Sequence, residues 1–359
     1  MNIFEGKSKD FLFDYLSKTS PTGFEREGQK SWINYIEPFV DEWDRDKYGT
    51  AYGIINPGKD TKIVIEAHAD EISWMVSHIS EDGYIRVIRN GGSDHQIAPA
   101  KRVWIHGKNG PVKGVFGWPA IHLRKGKDAK LTPSMDNIFL DVGAKDKDEV
   151  LKMGIHVGSI ATFEDGFETL NQDYFIGRAL DNRMGGYCIA EVARMVHESK
   201  EDLPFSLYIV NAVQEEVGLR GAQMIAERIQ PDAAIIVDVT HDTSTPLVDA
   251  KAHGEVKCGE GPSVNYAPAV HNILRELILA AAEEQSIPVQ LEASSRSTGT
   301  DTDAFAYSHT GVPSALISIP LRYMHTTVEM AHKEDIKNLI HLMYHSLRKI
   351  EKNHNFYYF

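Results

Sequence analysis

The chain has 359 residues, too many for one small core, so one large or two unequal domains are expected. Hydrophobic residues make up 42% and charged residues 25%, the balance of an ordinary globular protein. A formal net charge of −13 argues against nucleic acid as a partner, because phosphate binding needs a basic surface.

Residues 8–17 read as a short amphipathic helix, broken by Ser20-Pro21-Thr22-Gly23. A second helix is predicted over 25–37, with Trp32, Ile33 and Ile36 on one stripe and Pro38 as its stop. A glycine-punctuated strand is expected over 48–53. The β-rich run 62–67 ends at His68-Ala69-Asp70-Glu71. In α/β sheets functional groups gather beyond the carboxyl ends of strands. There His68 can offer a ring nitrogen to a metal, with Asp70 as a supporting hydrogen-bond acceptor; a plain hydrogen-bonded turn is the alternative.

From about 73 to 168 the texture changes to short alternating runs over 84–88, 102–105, 112–116 and 159–163, separated by glycine or proline turns. One short helix is expected over 146–152. This stretch reads as a small all-β module inserted into an α/β domain. Its basic cluster, Arg124, Lys125, Lys127 and Lys130, reads as a solvated loop, with a subunit contact as the alternative, and none of His95, His106, His122 and His156 is assigned to a metal site.

Helical and parallel texture then returns. Asp181 stands at the N-cap position of a helix over 182–199, a role that needs no metal. The apolar run 207–213 ends in Gln214-Glu215-Glu216-Val217-Gly218, and a helix follows over 220–229. Adjacent carboxylates at a buried strand end are costly unless each has a partner, so one is read as a metal ligand and the other as a proton carrier; a solvated strand end is the alternative. Asp238 closes another buried strand, 233–237. A helix over 269–285, a polar loop over 294–303 and a last buried strand over 314–319, ended by Pro320, precede Arg322 and His325. The closing helix is expected over 333–352.

Four apolar strands are thus each followed closely by a metal-competent side chain: His68, Glu215 or Glu216, Asp238 and His325. Asp181 is a fifth candidate. Parallel strands would bring these ends to one sheet edge. Mixed nitrogen and oxygen donors suit zinc, cobalt or manganese better than calcium or magnesium. No dinucleotide fingerprint, phosphate loop or nucleophile elbow is present. With two cysteines, no signal-peptide pattern and no apolar run long enough for a membrane span, a cytoplasmic protein is expected.

His68-Ala69-Asp70-Glu71-Ile72, Ala179-Leu180-Asp181-Asn182-Arg183, Gln214-Glu215-Glu216-Val217-Gly218-Leu219-Arg220-Gly221, Asp238-Val239-Thr240 and Arg322-Tyr323-Met324-His325 resemble the signature blocks of the tetrahedral metallo-aminopeptidases. That family includes deblocking and glutamyl aminopeptidases and members once called endoglucanase or cellulase M. The resemblance spans nearly the whole chain in order. It implies a zinc-peptidase-like α/β catalytic domain (1–72 and 169–359), its mixed, largely parallel sheet flanked by helices. It also implies an inserted PDZ-like β-barrel for dimerisation (73–168), and a homo-dodecamer built from dimers.

Carried over position by position, His68 and Asp238 would hold one divalent ion, Glu216 and His325 a second, and Asp181 would bridge. Glu215 would be the catalytic base, with Asp70 behind His68. Zinc is the expected metal, with cobalt or manganese as alternatives, and a peptide the expected substrate. Ser73-Trp74 and Thr327 depart from the common pattern but leave this set intact. Other readings are hydrolysis of N-acyl amino acids, a carboxypeptidase, or a non-catalytic assembly protein on the same fold. Glycoside hydrolysis fits poorly, since it generally uses two carboxylates without a metal cluster. Arg296 or Arg322 could select an acidic residue, or either could form a structural ion pair.

Overall fold

The computed structural model describes residues 3–125, 130–200, 202–352 and 354–359, so Lys127 of the basic cluster lies outside the described residues. The chain divides into two compact units. One comprises Met1–Glu71, Phe167–Met324 and Glu329–Phe359; the other comprises Ile72–Gly166 and His325–Val328.

The large unit opens with helices α1 (Gly6–Ser17) and α2 (Arg26–Ile36) and strands β1 (Glu42–Arg45), β2 (Ala51–Ile55) and β3 (Lys62–His68). Phe11, Leu12, Tyr15 and Leu16 of α1 and Trp32 and Ile36 of α2 form the buried stripes that the 3.6-residue period requires. The strand expected over 48–53 starts later, because the Asp46 carboxylate accepts the backbone N–H groups of Tyr48, Gly49 and Thr50 and folds them into a turn.

The small unit contains β4 (Ser73–Ile79), β5 (Ile85–Asn90), β6 (Arg102–Gly107), β7 (Gly110–Phe116), β8 (Leu140–Asp141), α3 (Lys147–Lys152) and β9 (Ile160–Phe163). Its strands close into an antiparallel barrel in the order β4-β5-β8-β7-β6-β9. Closure removes free sheet edges. The barrel has its own core, in which the Trp74 ring meets Phe116 edge-on at 5.4 Å. Asp146 caps α3 by accepting from the Glu149 N–H at 2.9 Å.

The large unit resumes with β10 (Glu168–Leu170), β11 (Tyr174–Gly177), α4 (Leu180–Ser199), β12 (Ser206–Ala212), α5 (Arg220–Ile229), β13 (Ala233–His241) and α6 (Ala250–His253). It finishes with β14 (Ser263–Tyr266), α7 (Asn272–Gln285), β15 (Gln290–Ala293), α8 (Asp301–Ala306), β16 (Ser314–Arg322), β17 (Glu329–His332) and α9 (Lys333–Arg348). Among the described residues no helix is long and apolar enough to cross a membrane.

The large unit's sheet runs β1-β2-β12-β3-β13-β16-β17-β11-β10, with β14 and β15 branching from β16. Its four central strands, β12, β3, β13 and β16, are mutually parallel, and antiparallel strands flank them. The expected fold class, a mixed α/β sheet between helices with a small all-β barrel, is the one observed. β16 runs through Pro320 instead of ending there. Along that edge β14 pairs with Ile317 and Ser318 and β17 with Leu321 and Arg322, so the proline lies between the two ladders and its missing N–H costs no bond.

Alternation sends Ile235, Val237 and Val239 of β13 into the core shared with α4 and α9, while Ala234 and Ile236 join the core under α5 and α8. Asp238 and Thr240 continue the second set. On β3, Val64 joins that same core, and Glu66 and His68 follow it on that face. Glu66, His68 and Asp238 therefore all stand on one side of the sheet.

The turn from β12 to α5 depends on Gly221, whose N–H donates to Val213 O at 2.8 Å and where a Cβ would collide with the Val213 backbone. Gly221→Ala is expected to destabilise the large unit by about 1–3 kcal/mol, the usual cost of forced overpacking. Urea unfolding measures this, and an unchanged midpoint would show that the turn has slack.

Candidate metal centre

The parallel registration of the central strands sets the site. Ala212 at the end of β12 lies beside His68 at the end of β3, and Asp238 of β13 continues past the point where β3 and β13 pair. Beyond β12 the chain turns through Gln214 and Gly218, both with positive φ (59° and 113°), and so presents Glu215 and Glu216. Asp70 fixes this turn. Its Oδ1 accepts the Glu215 N–H at 2.9 Å and its Oδ2 the Glu216 N–H at 3.2 Å, while the Thr22 hydroxyl donates to Oδ2 at 2.9 Å. The same carboxylate stands 3.4 Å from His68 Nδ1. One fully buried acid thus orients the imidazole and the Glu-Glu pair together.

On its other edge His68 Nε2 is 3.3 Å from Asp181 Oδ1 and 3.8 Å from Glu215 Oε2. Ligand atoms of His68, Asp181 and Asp238 all lie within 4.8 Å of one another, as do those of His68, Glu215 and Glu216. The chain enters α4 through left-handed Ala179 and is broken at Asp181 and Asn182, so the regular helix begins only at Arg183 and Asn182, not Asp181, stands next to it. Asp181 has ψ 110°, off the helical path, and its N–H donates to Glu329 Oε2 at 3.1 Å, leaving the carboxylate to the cluster. The peptide bond from Asp181 to Asn182 is cis. His325 follows β16 but groups with the small unit, where Gly92 makes room for its ring; a Cβ at Gly92 would run into the imidazole.

The charge balance is lopsided. Burial opposes protonation of His68, but the Asp181 and Asp70 carboxylates, with Glu215, raise its pKa well above the ordinary value. Burial pushes Glu215 up to about 10; His68 pulls it down, and Asp238, Asp301 and Glu216 push it further up. Asp238 is pushed up to about 7 by burial, against His68, with Asp181 and Glu216 adding to the rise. Carboxylates crowded around one imidazole lack positive charge. Their nitrogen and oxygen donors match a borderline divalent ion, so the residues present fit a metal.

Two further acids, missed from sequence, stand against this cluster. Glu66, two residues before His68 on β3, is fully buried and pushed up to about 8, chiefly by burial. Asp301, first residue of α8, is raised well above its usual value by burial and by Glu66. The two carboxyls meet each other, close enough to share a proton, and no other donor reaches them among the described residues. The signal for Glu66 was an acid inside an otherwise apolar strand. Asp301 had none, because it sits in what reads as a polar loop.

The buried Glu71 carboxylate pairs with Arg178 and accepts the Ser20 N–H at 2.7 Å, tying the segment after α1 to the site loops. Arg322 donates from Nε to Asp242 Oδ2 at 2.7 Å. Although burial works against it, hydrogen bonds from Ser244 and Arg322 and backbone donors hold Asp242 down to about 2. Of the two readings open for Arg322, the structure shows the ion pair. Arg296 is exposed.

A family model described as M42 glutamyl aminopeptidase matches residues 49–342. The chain is 35% identical over 323 residues to a lysyl aminopeptidase of Pyrococcus furiosus, covering 89% of this chain and 91% of that protein. Among solved structures, a TET aminopeptidase from the marine sediment Thaumarchaeota archaeon superposes with a TM-score of 0.91 at 29% identity, covering 96% and 97% of the two chains. The TET1 peptidase of Pyrococcus horikoshii, described as assembling into a tetrahedron or a large octahedral shell, superposes with a TM-score of 0.82 at 25% identity, covering 94% and 98%. With buried acids and an imidazole gathered at the ends of its central parallel strands, this chain belongs to the M42 glutamyl aminopeptidase family and is a peptide-bond hydrolase.

Proposed function

We propose that the chain releases N-terminal residues from peptides with two divalent cations, zinc being the favoured metal and cobalt or manganese the alternatives. His68 and Asp238 would hold one ion, Glu216 and His325 the other, and Asp181 would bridge them. His325 takes this role from its place after the last buried strand and from the sequence resemblance. The observation that carries the reading is the convergence of Asp181, Glu215, Glu216 and Asp238 on a single imidazole. So many buried and half-buried acids around one potential positive charge are unfavourable without a cation.

Bound divalent ions supply Lewis acidity, making a water acidic near neutral pH and polarising the scissile carbonyl. Glu215 receives the water's proton and passes it to the departing amine. Bound cations would offset the burial that raises the Glu215 pKa, leaving its carboxylate ionised to accept that proton. Asp70 acts behind the site, fixing the His68 ring and the backbone from which Glu215 projects. A free α-amino group on the substrate would be held by an ion or a neighbouring carboxylate, which limits cleavage to the first residue.

The small barrel would join subunits into dimers and the dimers into a cytoplasmic dodecamer. Support comes from the sequence resemblance and from the tetrahedral shell described for the Pyrococcus horikoshii relative. A protein that sediments only as a monomer at micromolar concentration would remove this part of the reading.

Glu215→Gln is expected to lose about 10²–10⁴-fold in turnover of aminoacyl-anilides, the usual worth of a general base, while retaining its metal. Glu216→Ala should instead lose metal, measured by elemental analysis after gel filtration. Full activity in Glu215→Gln, or full metal content in Glu216→Ala, would overturn the respective assignment. Chelation should abolish activity and lower the Tm, and zinc, cobalt or manganese should restore both, because an ion that binds only the folded cluster stabilises it. An unchanged Tm on chelation would exclude the cluster as the metal centre.

A further inference from the structure

Thr240 stands two residues beyond Asp238 on β13, so both side chains project from the same face of the sheet, about 6.6 Å apart along the strand. The Thr240 hydroxyl donates to Oε1 of Glu292 at 2.6 Å, and the Ser263 hydroxyl donates to Oε2 at 2.8 Å. Glu292 lies on β15 and is half-buried. Both of its donors are neutral, and among the described residues it makes no ion pair. An ionised carboxylate has about four acceptor positions, and two hydroxyls fill only two. The nearby guanidinium of Arg322, at the end of the adjacent strand, is already neutralised by Asp242 and stacks 5.2 Å over the Tyr174 ring. The strand face beside Asp238 therefore carries one uncompensated negative charge, held in a fixed position by two hydroxyls.

We infer that Glu292 selects the N-terminal side chain to be released, and that the preferred substrates begin with lysine or arginine. The inference rests on the aminopeptidase reading above. With the scissile bond at the Asp238 end, an extended lysyl or arginyl side chain is long enough to cover the gap along β13 and bring its N–H donors to Glu292. A charge-assisted hydrogen bond in a partly desolvated place discriminates more strongly than apolar contact does. An acidic side chain would meet Glu292 with like charge. A neutral one of the same length would leave the carboxylate without its cation.

The test uses the metal-replete enzyme and five anilides: lysyl, arginyl, norleucyl, leucyl and glutamyl. Norleucine has lysine's chain without its ammonium. Lysyl and arginyl kcat/KM should exceed norleucyl by about tenfold or more, the worth of one charge-assisted hydrogen bond. In Glu292→Gln the lysyl-to-norleucyl ratio should fall at least tenfold, mainly through KM for the basic substrates, and Glu292→Lys should shift preference towards glutamyl. Calorimetry gives an independent readout: free L-lysine should bind the wild type more tightly than norleucine does, and the difference should vanish in Glu292→Gln. Wild-type preference for glutamyl, leucyl or norleucyl substrates overturns the inference and leaves the peptidase reading standing. So does an equal fall on all five substrates in Glu292→Gln, which would mean that Glu292 holds the α-amino group or supports packing. Failure to release any N-terminal residue would overturn the peptidase reading itself.

Discussion

The large unit is organised around a crowd of buried and half-buried acids. Asp181, Glu215, Glu216 and Asp238 surround one imidazole, with Asp70 behind it and Glu66 and Asp301 alongside. Burying even one unpaired carboxylate costs several kcal/mol. Burial raises the proton affinities of Glu215, Asp238 and Glu66, which is the signature of that cost. A divalent cation is the economical remedy, and M42 membership agrees with one. The parallel central strands exist, in this sense, to hold acids together that would otherwise move apart.

Asp70 shows how few side chains such a site needs for its alignment. It accepts the backbone N–H groups of both glutamates and stands against the ring of His68, so a single carboxylate aligns donors from two strands. The Thr22 hydroxyl holds it from the segment between α1 and α2. The glycine-dependent turn at Val213 and Gly221 provides the other anchor. Geometry at the glutamates is therefore inherited from backbone hydrogen bonds, which are stiffer than side-chain contacts alone.

The same face of the sheet separates two kinds of charge. Arg322 and Asp242 satisfy each other close to the strand ends, whereas Glu292 is held only by hydroxyl groups. A self-satisfied ion pair offers little to a charged ligand, because an incoming group must compete with a partner already in place. A carboxylate held by neutral donors keeps its field.

Sequence alone determined the alternation of strand and helix, the change of texture between about 73 and 168, and the acids and histidine that close apolar runs at His68, Glu215, Glu216 and Asp238. Those features are local, since periodicity and a polar residue ending an apolar run are visible within ten residues. Glu66 was hidden because a glutamate within a strand looks like one exposed face, and only packing under α8 makes it a buried acid. Asp181 looked equally suited to a helix cap, and the non-helical break at Asp181 and Asn182 decided otherwise. Pro320 read as a strand end until the neighbouring ladders left it a gap. Which charges are paired and which are left open, as with Arg322 and Glu292, was decided by tertiary structure alone, because the partners lie 80 and 52 positions away in the chain and meet only when the sheet forms.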